Sequence, residues 1–169
     1  MSTLTILEFP DDRLRTIAKS VAMPNVKMSR LAKQMAEVMY AAPGIGLAAT
    51  QVDQPHRLFV MDLSEEQNCL QIFYNPEIIE RDGEAISEEG CLSVPGFYEK
   101  VERAETIVLR WDNDQGQTQE EGFEGMAAIC IQHEIDHLDG KLFVDHISGM
   151  KRDRIRKKLL KIHRQAEVA

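Results

Sequence analysis

His133 and His137 stand four residues apart in the run Ile129–Gly140, ICIQHEIDHLDG. On a helix that spacing puts both imidazoles on one face, one turn apart. Two neutral imidazoles so placed can bind one metal ion, and Glu134 beside them can reach a water on that ion. The apolar residues ahead (Met126, Ala127, Ala128, Ile129, Ile131) and Gly140 after Leu138 give such a helix a buried body and a stop. Read without chemistry, the same residues are two core histidines and a satisfied glutamate. A catalytic ion also needs a third protein ligand and an open position, and the helix offers no obvious third donor.

Cys91, in the stretch Glu88–Pro95 (EEGCLSVP), is one candidate. A free cysteine is most often a small buried apolar residue, but a thiolate suits a site that already has two imidazoles. His146 and His163, downstream of the helix, are rivals, since zinc endopeptidases with a His-Glu-x-x-His helix usually take their third ligand there. A third stretch, Gly44-Ile45-Gly46-Leu47-Ala48-Ala49-Thr50-Gln51, has two glycines that permit close backbone approach. It is not a phosphate loop, because no Lys-Ser/Thr and no third glycine follow in frame.

The elements that must position these residues follow from periodicity. Leu4, Ile6 and Phe9, then Pro10-Asp11-Asp12-Arg13, predict an extended arm and a turn or single helical turn at 11–15. Met28, Leu31, Met35, Val38, Met39 and Ala42 mark an amphipathic helix over 25–42, capped by Asn25 and ended by Pro43-Gly44. Its methionines read as core filling. Strands are expected at 58–63 and 70–75, the second broken by Asn75-Pro76, with a hairpin around Arg81-Asp82-Gly83. Val101–Trp111 reads as one further strand that turns at 113–116 and returns over 117–122. A short apolar run at 141–144 follows the histidine helix. Ser148 can cap a last helix through 166 that docks by Ile155, Leu159 and Ile162.

At 169 residues, 43% hydrophobic and 28% charged, the chain suits one domain of an ordinary globular protein, with no repeat or linker. No run of 18 apolar residues is present, and the start MSTLTILEFPDDR lacks the pattern of a signal peptide, so no membrane partner is expected. Three cysteines without a pairing pattern fit reduced thiols and a cytoplasmic location. The net charge of −8 is uneven. Residues 150–169 carry eight basic and two acidic side chains, a charge of +6, which leaves −14 on the rest. An acidic body argues against general nucleic-acid binding, while the basic tail leaves a local contact with a ribosome or RNA open.

Taken together, GIGLAATQ at 44–51, EGCLS at 89–93 and QHEIDH at 132–137 resemble, intact and in order, the three motifs of the peptide deformylase family. The resemblance runs over essentially the whole chain. It implies an α+β fold: antiparallel β-strands packed around a central metal-binding helix, with an N-terminal and a C-terminal helix. It implies that Cys91, His133 and His137 bind one Fe²⁺, which Zn²⁺, Ni²⁺ or Co²⁺ can replace. A metal-bound water would attack the formyl carbon with Glu134 as general base. The Gln51 amide and the Leu92 backbone N–H would donate to the formyl oxygen. Ile45, Met126, Ile129 and Cys130 would line an apolar pocket for methionine, although Met126 and Ile129 also read as ordinary core. Gly46 and Gly90 would let the peptide lie alongside as an added strand. The implied substrate is the formyl-methionyl end of a nascent polypeptide, released as formate and a free amine by a monomer. The basic C-terminal helix would meet the ribosome.

Overall fold

The protein is described by a computed structural model covering residues 3–22 and 25–168. Three helices, α1 (Val26–Ala41), α2 (Gly125–Leu138) and α3 (Gly149–Val168), accompany seven strands. These are β1 (Gly46–Ala48), β2 (Leu58–Met61), β3 (Gln71–Asp82), β4 (Ala85–Cys91), β5 (Val94–Arg103), β6 (Thr106–Asp112) and β7 (Thr118–Glu124). One sheet has the order β1-β2-β3-β6-β7 and a second is the β4-β5 ribbon. Every named pairing is antiparallel. The fold is α+β, as the motifs imply.

Helix α2 sits at the centre, buried along most of its length, its polar side chains included. Ala128, Ile131, Ile135 and Leu138 pack with Phe59, Phe73, Leu109 and Trp111 of the large sheet. Burial on several faces is what lets the helix hold its histidines rigidly. Helix α1 is amphipathic: Met28, Leu31, Met35 and Met39 face Leu58, Val60 and Tyr74, and the Asn25 side chain accepts from the Met28 N–H at 3.3 Å. Its methionines are core filling. Helix α3 docks through Ile155 and Leu159, which join Leu7, Phe9, Val94, Val101 and Phe143 in a further cluster that also touches Cys91.

Four expectations are corrected. Ile162 does not dock α3, since it is 52% exposed. Asn75-Pro76 does not end a strand, because β3 runs through it with register shifts between Tyr74 and Glu77 and between Ile78 and Glu80. Proline has no N–H to give the ladder, and a bulge with Asn75 at φ 51° absorbs the loss. The segments flanking Arg81-Asp82-Gly83 do not pair as a hairpin; β3 pairs with β6, and β4 with β5. Val101–Trp111 is two strands, since the chain leaves the ribbon at Arg103 and enters the large sheet at Thr106. The expected arm and turn are present, the latter as a short 3-10 helix at Asp12–Arg15.

Candidate active site

The ribbon turns back at Leu92-Ser93, with Cys91 opposite Val94. That tight turn faces α2, whose helical spacing aligns His133 and His137. Cys91 Sγ lies 3.3 Å from His137 Nε2, and the two Nε2 atoms are 3.2 Å apart. Among the described residues, this trio is the group of Cys, His, Asp and Glu side chains close enough to share an ion, its donor atoms all within 4.8 Å of one another. An ion with ligand bonds of about 2.0–2.3 Å in a tetrahedron has donor-to-donor edges of about 3.3–3.7 Å. The Cys91–His137 and His133–His137 edges, 3.3 and 3.2 Å, lie at the short end of that figure, so the residues fit a metal. His146 does not join them: its Nε2 is 2.8 Å from Asp136 Oδ2. His163 is equally apart, 2.8 Å from Glu8. The endopeptidase arrangement therefore has no third ligand downstream.

The His133 ring is oriented from behind. His133 Nδ1 lies 2.9 Å from Glu89 Oε1, which leaves Nε2 to face Cys91 and His137. Burial alone would raise the Glu89 carboxyl, but hydrogen bonds from Arg103 and His133 hold it down at about 2. Burial, with the His133 and Arg103 charges, pushes His137 well below its usual range, which keeps it neutral. His133 goes the other way, because its Cys91 and Glu89 contacts outweigh burial and raise it. A cation binding there must displace that proton.

Glu134, next to His133 on α2, is buried. Burial pushes its carboxyl up to about 7, and Oε1 has no hydrogen-bond partner. Its other oxygen occupies the space beside Gly46, where a Cβ would come within 2.5 Å of Oε2. Gln51 lies in a 3-10 turn, Ala49–Val52; its Oε1 accepts from the Ala48 N–H at 2.9 Å. That bond aims the amide nitrogen at Ser93 Oγ, 3.0 Å away, and at Cys91 Sγ, 3.7 Å away. Backbone bonds from Leu7 to the Gln51 carbonyl and from Phe9 to the Ser93 carbonyl tie both loops to the N-terminal arm.

A cleft of about 740 Å³ opens over these groups. Its lining includes Cys91, His133, Glu134, Gln51 and Leu92 together with Ile45, Gly46, Gly90, Met126, Ile129 and Cys130, while His137 is buried and does not line it. Ile45 is 47% and Met126 55% exposed, so these are open cleft walls rather than core. Burial raises the Cys130 thiol, which keeps it uncharged. The space beside Gly90 is filled by the Tyr98 ring, whose Cε1 would stand 2.5 Å from a Cβ there.

Residue reading alone passed over Glu89, Arg103, Ser93 and Tyr98. Glu89 stands inside the EGCLS motif, which was a signal in plain view. Asp136 reads from sequence as a helix-surface or structural carboxylate, and it is the structural kind, paired with Arg103 at 2.6 Å. Among the described residues no helix is long and apolar enough to cross a membrane.

Comparison with known proteins agrees with this geometry. The model of the family described as Polypeptide deformylase matches residues 3–153. A peptide deformylase from Azotobacter vinelandii is 57% identical over 171 residues, covering 98% of this chain and 99% of that one. The crystal structure of a peptide deformylase from Legionella pneumophila superposes with a TM-score of 0.92 at 43% identity, covering 98% of both chains. One from Synechococcus elongatus, in complex with actinonin, gives 0.86 at 37% identity over 95% of this chain and 88% of that one. With its motifs, its fold and these likenesses in agreement, the chain belongs to the peptide deformylase family of enzymes.

Proposed function

We propose that the protein, as a single catalytic domain, hydrolyses the formyl group from the N-terminal formyl-methionine of new polypeptides, releasing formate and a free amine. The observation that carries this reading is that Glu134, Gln51, Cys91 and His133 line one cleft, with His137 close enough to Cys91 and His133 to share an ion with them. Cys91, His133 and His137 would hold Fe²⁺, which supplies Lewis-acid chemistry: it lowers the pKa of water and polarises a carbonyl oxygen. Glu134 takes the proton of the attacking water at its unpartnered Oε1 and passes it to the leaving amine. The Gln51 Nε2 and the Leu92 N–H donate to the formyl oxygen as it gains charge. Leu92 opens the two-residue turn after Cys91, where its N–H lies outside the Cys91–Val94 pairing. Ile45, Met126, Ile129 and Cys130 take the methionine side chain by burying its apolar surface. Gly46 and Gly90 line the cleft that would take the peptide backbone, with the space at their Cα atoms taken by Glu134 and Tyr98.

The protein would act as a monomer in the cytoplasm. Lys151, Arg156, Lys157 and Lys161 are exposed along α3, with Arg152 half-buried, a surface suited to the ribosome where nascent chains emerge. The test is formate release from formyl-Met-Ala. Protein purified without oxygen should carry iron and turn over faster than the aerobic preparation, since air oxidises the iron or Cys91. No formate from either preparation would refute the activity. Anaerobic protein holding only zinc, with no gain in rate, would refute iron alone.

A further inference from the structure

Arg103, the last residue of β5, is only 6% exposed. Its planar fork meets Glu89 twice, Nε to Oε2 at 2.8 Å and Nη2 to Oε1 at 2.8 Å. The remaining nitrogen, Nη1, reaches Asp136 Oδ2 at 2.6 Å, and His146 Nε2 stands 3.4 Å from it. Glu89 is on β4, two residues before Cys91. Asp136 is on α2, three residues after His133 and next to His137. One buried cation is thus bonded to both elements that carry the trio.

Between Cys91 and α2 the chain passes through β5, β6 and β7. The distance of Cys91 from the two histidines is therefore set by non-covalent contacts alone. We propose that Arg103 is a positioning residue that cross-links β4 to α2, sets the separation of Cys91 from the two histidines, and orients His133 through Glu89. The inference rests on Cys91, His133 and His137 being the ligands. A buried ion network is a weak source of stability, because desolvation offsets the Coulomb gain. What it supplies here is direction: a guanidinium bridges two carboxylates along fixed axes, whereas lysine is a point charge that cannot reproduce the fork.

The experiment measures Co²⁺ binding to metal-free protein by chelator competition, together with the visible absorption of bound Co²⁺. Arg103→Lys should keep a cooperative thermal transition, lose about 10–100-fold in affinity, and alter the Co²⁺ spectrum. Adding Glu89→Gln to that variant should change little further, since both act through one chain of contacts. Wild-type affinity and spectrum in Arg103→Lys would overturn the role of Arg103. If that variant fails to fold, Asp136→Asn breaks only the helix side of the cross-link, and there too an unchanged affinity and spectrum would overturn it. Cys91→Ala and His133→Ala separate the two readings. Undiminished Co²⁺ binding by either would overturn the ligand assignment itself and the proposal with it.

Discussion

The Glu134 carboxylate lies against the backbone of Gly46, so close that a Cβ on Gly46 would stand 2.5 Å from Oε2 and 3.0 Å from Cys130 Sγ. Glycine there makes room for the Glu134 carboxylate. Gly46→Ala should therefore displace Glu134 while leaving the trio untouched. A misplacement of about 1 Å can cost about 10²-fold in rate, so kcat on formyl-Met-Ala should fall by that order with metal content unchanged. Near wild-type kcat in this variant would show that Glu134 moves aside without consequence.

Glu134 and the trio should separate by metal content. Glu134→Ala keeps the fold and one bound metal, yet should lose on the order of 10²-fold or more in kcat, as deletion of a general base does. His133→Ala or Cys91→Ala should lose the metal itself, and activity with it. Elemental analysis beside formate release checks all three. A metal-loaded Glu134→Ala protein with undiminished turnover would remove Glu134 from the mechanism.

Cutting the chain after Gly149 is a poor test of the basic helix, because Ile155 and Leu159 are part of the cluster that holds Val94 and touches Cys91. Replacing Arg156, Lys157 and Lys161 with glutamate alters only exposed positions. Formate release from short peptides should be unchanged, while salt-sensitive co-sedimentation with ribosomes should disappear. Equal co-sedimentation of both proteins would rule the contact out.

Asp62 contributes to behaviour in acid. Burial would raise its carboxyl, but the Ser64 hydroxyl at 2.6 Å, the Tyr40 hydroxyl at 2.6 Å and the Ser64 and Cys69 N–H groups lower it to about 2. Its unfolded value is about 3.9. The folded form thus favours the charged carboxylate, and that stabilisation is present above about pH 4 and lost as pH falls through about pH 2. Asp62→Asn should be less stable than wild type near neutrality, with the gap closing across that window in thermal melts. A gap independent of pH would show that the charge of Asp62 contributes nothing.

The sequence by itself determined what depends on local spacing. The four-residue step of His133 and His137, the methionine stripe of α1 and the motif around Cys91 are readable because helical periodicity and short turns are properties of neighbours. Tertiary structure decided what depends on distant partners. Nothing near Arg103 in the chain announces Glu89 and Asp136, 14 and 33 residues away, as its partners. Pro76 reads as a strand break until β6 lies beside it and a bulge absorbs the missing donor. The apparent hairpin at Gly83 fails because β3 and β4 each find a better partner elsewhere, and pairing across sheets is a global choice that no local turn signal settles.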